Sequence, residues 1–298
     1  MFKTIGDLNV HYDVQGTGYP MVLLHGGGSR AQTFEEMVPI LAKSFQVYTF
    51  DMRGFGDTQR PAEPRLSHEL WRDDLRRFLD AFGLAKVVLG GWSLGGGVSL
   101  NFVIEHPERV SHLVLIGAMS PRMPSSDRSG FQRRRELIER GATAEEIVKE
   151  TFEFTKKAFS PYSLEHKPQA VEALRQEHLR NNPAHYLEML HANENRPKIG
   201  DRLGEIRCPT LIVVGEHDVR TPVALSEDLN KVIPNSLMKI IPNCGHFYGY
   251  EQPELVSHTM LAYLGAAGGA VFCHGPGKSS GRFFTAWWSS SRSLNFTN

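Results

Sequence analysis

The sequence predicts an open, mostly parallel α/β sheet with helices on both faces and an inserted helical module. Three observations carry that fold class. Short continuous apolar runs, each closed by turn residues, recur along the chain. Such runs suit strands buried on both faces, as a parallel sheet covered by helices requires. Helix-periodic segments separate them, which is the alternation of an α/β fold. Between about Pro121 and Gly200 the strand signals stop, and charged, helix-periodic segments take over.

Taken in order, Phe2–Ile5 and Leu8–Val14 alternate polar and apolar residues across Gly6-Asp7, which predicts an opening β-hairpin. The apolar runs follow: Met21–Leu24, Val47–Phe50, Lys86–Leu89, Leu113–Ile116, Leu211–Val214 and Leu237–Ile241. Ser67–Gly83 is the clearest helix. Leu70, Trp71, Leu75, Phe78, Leu79 and Phe82 share one face, and Arg72, Asp73, Asp74, Arg76 and Arg77 are expected to point away. Ser67 suits its N-cap and Gly83 its stop. Leu94–Glu105, ended by Pro107, and Gln252–Leu264 read as further helices. The inserted module contains Gly130–Arg140, Thr143–Phe159, Pro168–Asn181 and Pro183–Asn193, and the strand rhythm resumes at Cys208. An insertion there would lie over the carboxyl edge of the sheet, where sites in open α/β folds collect. The expected organisation is a core of residues 1–120 and 201–264, a helical cap over 121–200, and a tail over 265–298. That tail has no Asp or Glu, many glycines and unperiodic aromatics, so a poorly ordered extension is expected.

Composition narrows the function. The 298 residues carry 33 Lys+Arg against 33 Asp+Glu, which removes the usual argument for nucleic acid or an anionic membrane as partner. A hydrophobic share of 41% with 22% charged residues excludes wholesale disorder. No apolar run approaches the roughly 18 residues of a spanning helix, and Met1 to Gly16 is too polar for a signal peptide. Cys208, Cys244 and Cys273 are scattered without a CxxC pair, so neither a disulfide framework nor a thiolate metal site is expected. His106 and His112, like His185 and His191, are six apart and cannot face one way as helical ligands would. A cytoplasmic protein acting on a small molecule without metal or cofactor is the expectation. Oligomeric state leaves no trace. Gly277-Lys278-Ser279 imitates the end of a phosphate loop, but Phe272 stands where the first glycine belongs.

The strongest local signal is Gly91-Trp92-Ser93-Leu94-Gly95, between the Lys86–Leu89 run and the next helix. A serine at so sharp a strand-to-helix turn is backbone-strained, and the glycines let strand and helix approach, leaving Oγ exposed. His25-Gly26-Gly27-Gly28 follows the Met21–Leu24 run. Acyl transfer develops an oxyanion that preorganised N–H groups stabilise. Leu94, after the serine, and Gly27 are the expected donors, with His25 bracing the loop. The serine needs a base, and the base needs an acid fixing its tautomer. Among 13 histidines His246 stands out, in Asn243-Cys244-Gly245-His246 after the Leu237–Ile241 run. Asp218, in Gly215-Glu216-His217-Asp218 before Thr221-Pro222, would reach the same edge and is preferred to Glu216 and Asp51.

The order Ser93, Asp218, His246, with the HGGG loop and the serine elbow, resembles the α/β-hydrolase superfamily. Asp51-Met52-Arg53-Gly54-Phe55-Gly56-Asp57-Thr58 is similar to its D-x-R-G-x-G-x-S/T loop, and Cys208-Pro209-Thr210-Leu211 to the approach to its late strand. The likeness covers roughly residues 1–264. It implies an α/β-hydrolase fold of the capped serine-hydrolase branch, alongside 3-oxoadipate enol-lactonase, hydrolases of ring-cleavage products and small carboxylesterases. It implies a lid over the acyl pocket, which Trp92 would help line unless that ring packs the sheet edge. A serine nucleophile argues against dehalogenase and epoxide-hydrolase chemistry, which forms an ester on a carboxylate. Hydrolysis of a small carboxylic ester or lactone is the expected activity. Carbon–carbon hydrolysis of a ring-cleavage product, with the lid holding a substrate carboxylate, is the first alternative, and a ligand sensor with a slow triad is the second. Arg133-Arg134-Arg135 could attract an acidic substrate, but with Glu136 and Glu139 nearby a solvated helix face is expected.

Overall fold

The computed structural model describes residues 1–120 and 129–268. The expected tail from 269 onward, with its phosphate-loop imitation, and the first residues of the expected cap lie outside the described residues. Eight strands form one sheet: β1 (Phe2–Ile5), β2 (Leu8–Gln15), β3 (Tyr19–Leu24), β4 (Phe45–Phe50), β5 (Val87–Trp92), β6 (Val110–Ile116), β7 (Thr210–Gly215) and β8 (Ser236–Ile241). Their spatial order is β1-β2-β4-β3-β5-β6-β7-β8. The pairs β1/β2 and β2/β4 are antiparallel, and the remaining neighbours are parallel.

Alternate residues of the central strands feed two cores. Val22, Leu24, Leu89 and Leu115 join one; Met21, Leu23, Val88 and Val114 join the other. On the first face lie α2 (His68–Ala81) and α3 (Leu94–Glu105), through Trp71, Leu75, Phe78, Val98 and Phe102. On the second lie α1 (Val38–Leu41) and α11 (Pro253–Gly268), through Val38, Leu41, Val256 and Met260. Each fully buried Leu, Val or Phe contributes about 1.5–3 kcal/mol, so burial of strands on both faces dominates the stability of the sheet. Ser67 caps α2, its side chain accepting from Leu70 N–H, and Gly83 stops it with φ +65°.

Between β6 and β7 the described chain forms five α-helices, α4 (Ser129–Glu139), α5 (Ala144–Lys156), α6 (Pro161–His166), α7 (Pro168–Leu179) and α8 (Pro183–Glu194), and then a short 3-10 helix, Gly200–Glu205. Thr143 and Glu146 build a reciprocal capping box at the start of α5. Helix α6 was not expected, because six residues are too few for periodicity to show. After β7 come α9 (Val223–Val232) and, beyond β8, α10 (Tyr248–Glu251).

Two expectations are corrected. Strand β5 runs on through Gly90, Gly91 and Trp92, past the end of the apolar run; a Cβ on Gly90 would stand 2.5 Å from Leu23 Cδ2, so the strand needs a residue of no β-propensity there. Asp74 does not point away: it is buried on α2, where both its oxygens accept from Arg53, at 2.7 and 2.9 Å. Helical periodicity could not show a partner arriving from another loop.

Candidate active site

Ser93 joins β5 to α3 with φ 52° and ψ −112°, a conformation side chains rarely adopt. Holding such a residue costs on the order of 1–3 kcal/mol, so its surroundings must over-determine it. They do. Ser93 N–H donates to the Ile116 carbonyl at 3.0 Å, and its carbonyl accepts from Gly97 and Met119 at 3.1 and 2.9 Å. A Cβ on Gly91 would lie 2.3 Å from the Gly95 carbonyl oxygen, and one on Gly95 would lie 2.3 Å from that of Leu24. The turn is thus crowded backbone against backbone, and Ser93 is left half-buried, its Oγ turned toward His246.

His246 stands opposite, on the loop between β8 and α10. Its Nε2 is 3.1 Å from Ser93 Oγ and its Nδ1 is 2.8 Å from Asp218 Oδ2. Asp218 is buried and richly bonded. Oδ1 accepts from the N–H groups of Arg220 and Thr221 at 2.9 and 2.8 Å; Oδ2 accepts from the Thr221 and Tyr248 hydroxyls, each at 2.8 Å. Burial alone would push the carboxyl up, yet the imidazole and the Thr221 hydrogen bonds hold it below its ordinary value. An ionised Asp218 can only accept, which fixes the imidazole proton on Nδ1 and turns the Nε2 lone pair toward the serine. Burial, and then the Asp218 charge, push the Tyr248 phenol well above its usual range, so it stays a donor.

The glycine loop after β3 faces the elbow. Gly26–Ser29 is a tight turn closed by Ser29 N–H on the Gly26 carbonyl at 3.2 Å, and Gly28 takes φ +76° within it. Among the described residues no acceptor bonds the N–H of Gly27 or of Leu94, the first residue of α3. That helix terminus also favours negative charge. Gly95 N–H donates to the His25 carbonyl at 3.2 Å, tying elbow to loop. His25 is fully buried: Nδ1 donates to the Gly26 carbonyl at 2.8 Å and Nε2 accepts from Met52 N–H at 3.0 Å. Both nitrogens are committed, so His25 has the position of a brace. Above the loop stands α8, with Met189 Sδ 3.0 Å from where a Gly27 Cβ would be and the Tyr186 ring against Gly28.

Ser93, His246 and Asp218 are therefore brought together, with Gly27 and Leu94 beside them; the rival acids are not. Glu216 is exposed and accepts from Asn243 N–H at 3.1 Å. Asp51 accepts from Ala31 N–H, Asp57 N–H and His11 Nδ1 at 2.7–2.9 Å, bracing three segments. His11, Asp51 and Asp57 form the one grouping among the described residues with metal-like ligand spacing, but the Asp51 oxygens are already taken up by those donors. Trp92, read as lining the pocket or packing the sheet edge, braces the histidine loop. It is buried, its indole N–H donates to the His246 carbonyl at 2.9 Å, and its ring contacts those of His246 and Phe247. The arginine run divides as well. Arg133 pairs with Glu150 and Arg135 with Glu194 on the outside, while Arg134 is buried, bonding the Thr151 and Thr155 hydroxyls and stacking 4.7 Å from the Tyr186 ring. Arg220 faces the same space from the acid loop, its guanidinium 5.4 and 5.3 Å from the Phe131 and Phe247 rings. Burial pushes it down to about 10, still cationic at neutral pH. Tyr248 and Thr221 escaped sequence reasoning because their roles rest on contacts between distant segments, and for the same reason Arg134, expected on a solvated face, is buried.

The family described as alpha/beta hydrolase fold matches residues 19–253. A 2-hydroxy-6-oxononadienedioate/2-hydroxy-6-oxononatrienedioate hydrolase of Pseudomonas putida is 31% identical over 274 residues, covering 87% of this chain and 92% of that protein. Among solved structures, a thermophilic esterase from Thermogutta terrifontis is 29% identical with a TM-score of 0.78, covering 89% of this chain and 96% of that one. An N-acyl homoserine lactone degrading enzyme, Est816, is 25% identical with a TM-score of 0.75, covering 88% and 99%.

Proposed function

Because this chain belongs to the alpha/beta hydrolase fold family, we propose that it hydrolyses a small carboxylic ester or lactone through an acyl-serine intermediate. The observation that carries the reading is the relay from Ser93 Oγ to His246 Nε2 to Asp218, at 3.1 and 2.8 Å. In it, Nε2 takes the serine proton as Oγ attacks the carbonyl, and the N–H groups of Gly27 and Leu94 receive the oxyanion. The imidazolium then protonates the leaving group, and the neutral imidazole so regenerated deprotonates the water that cleaves the acyl-enzyme; Asp218 stabilises the imidazolium each time it forms. Removing one such oxyanion donor costs about 10²–10³ in rate, so most of the acceleration comes from this preorganised pair and the relay together. Fluorophosphonate labelling tests the reading. Wild type labels and Ser93→Ala does not; labelling that persists in the variant would remove the nucleophile assignment, and a wild type that never labels would remove the hydrolase reading.

A second reading is favoured by Arg134 and Arg220. The Arg134 guanidinium lies over the Tyr186 ring and the Arg220 guanidinium over the Phe131 and Phe247 rings, each feels the other's charge, and neither has an ion pair among the described residues. Like charges in a poorly solvated space favour an anion between them. A substrate bearing a carboxylate would supply it, and the Pseudomonas putida relative is named for dienedioate substrates. Carbon–carbon hydrolysis of a ring-cleavage product is the version of the chemistry that brings such a group. Rates on p-nitrophenyl hydrogen glutarate and on its neutral methyl ester, against a vinylogous 1,5-diketone acid, separate the readings. A preference of about tenfold or more for the anionic ester is expected, given what a charge-assisted hydrogen bond contributes. A ratio near one would sink the anion reading and leave the ester reading standing.

A further inference from the structure

The segment between β6 and β7 is bonded, through the connections after α7 and α5, to both loops beside Ser93. Asn181 Nδ2 donates to the Gly28 carbonyl at 2.6 Å, and the Ala158 carbonyl accepts the His246 N–H at 2.7 Å. One buried side chain joins the two. Glu177, on α7, accepts through Oε1 from the Ser29 hydroxyl at 2.5 Å and through Oε2 from the Tyr250 hydroxyl. Ser29 closes the turn that holds Gly27. Tyr250 lies in α10, its N–H on the carbonyl of Phe247, the residue after His246. Neither hydroxyl belongs to the proton relay. Burial pushes the Glu177 carboxyl up, and the two hydroxyls oppose that shift, as donors to an ionised carboxylate do.

We propose that Glu177 is a positioning residue: a lid carboxylate that sets the spacing of the oxyanion loop and the histidine loop by bonding Ser29 and Tyr250 at once. With the lid seated, one stiff group holds both loops. With the lid lifted, both loosen together, so the catalytic geometry is complete only when substrate is enclosed. A groove of about 510 Å³, lined by Thr33, Lys167, Gln176, Glu177, Arg180 and Tyr250, runs beside the latch.

The consequence for turnover rests on the acyl-serine reading, so the test has two arms. In the first, Glu177→Ala lowers kcat on p-nitrophenyl butyrate by about tenfold or more while KM moves less than about threefold, because misplacement acts on the reacting geometry. Glu177→Gln, which keeps the shape and can bond both hydroxyls, recovers most of the loss. In the second arm, amide hydrogen exchange follows the Ser29 and His246 N–H groups. Both lose protection together in Glu177→Ala, and neither does in Arg133→Ala, which breaks an exposed lid ion pair. Protection unchanged at both loops, lost at one loop alone, or an effect on KM only would overturn the proposal. If wild type fails to turn over any ester or to label at Ser93, the hydrolase reading falls, while the exchange arm still decides whether Glu177 couples the loops.

Discussion

Asp218 gathers five hydrogen-bond donors on two oxygens, and they do not weigh equally. The Arg220 and Thr221 N–H groups hold Oδ1, the Thr221 and Tyr248 hydroxyls share Oδ2, and only His246 carries the consequence to the serine. Asp218→Asn keeps the shape but offers an amide where the imidazole N–H needs an acceptor, so the wrong tautomer is favoured. A fall of roughly 10⁴ in kcat is expected. Tyr248→Phe removes one donor of the five and leaves the Gly215 N–H, 2.9 Å from the phenol oxygen, without its acceptor. It should cost about 1–3 kcal/mol of stability with a much smaller change in kcat, read from urea melts and steady-state rates on the same ester. Equal losses of kcat in the two variants would contradict the assignment of Asp218. The sequence made Ser93, Asp218 and His246 legible because each follows an apolar run, and strand ends in such folds meet at one edge. Tyr248 and Thr221 carry no such mark, because a phenol two residues beyond a histidine means nothing until α10 turns it back onto Asp218.

Among elements, the strand–elbow–helix unit is the most constrained. A Cβ on Gly95 would meet the Leu24 carbonyl oxygen at 2.3 Å, and main chain cannot move aside as a side chain can. Gly95→Ala should destabilise by at least ~2 kcal/mol. Gly97, two residues along, has its nearest neighbour at 3.3 Å, the Met119 carbonyl, and helix interiors favour Ala over Gly by about 1 kcal/mol. Gly97→Ala should therefore stay within about 1 kcal/mol of wild type, and denaturant midpoints of the two variants check the contrast. The same unit shows where sequence reading stops. The serine, its flanking glycines and α3 were visible, but the run of strand β5 through Gly90–Trp92 was not, because the residues that let β5 pack tightly are those that lack a strand signature. Asp74 and Arg134 were placed on solvated faces for a related reason: periodicity assigns a face by average polarity and cannot see a partner from another segment.

For the molecule as a whole, buried histidines set the response to acid. Burial lowers His25 and His68 to about 4 and His178 well below its ordinary value. In the unfolded chain these groups titrate near 6.5, so the unfolded state binds more protons between the two values. Stability is therefore full above about pH 6.5 and declines as pH falls toward 4, with up to about three protons taken up on unfolding. Urea midpoints at pH 7.5 and 5.0, compared in one buffer system, should show that decline; no change would mean these histidines are protonated in the folded state. At this scale the doubly covered sheet and the helical insertion were legible from hydropathy alone. How the insertion grips the core was not, since that depends on Ala158 meeting His246 and Glu177 meeting Ser29. A Cβ on Gly245 would come within 2.2 Å of the Ala158 carbonyl oxygen. Insertion and final loop therefore tolerate exchange only as a unit: a chimera that brings in a homologue's insertion is expected to seat when residue 245 is Gly, and to clash at that seam when the final loop carries any side chain there.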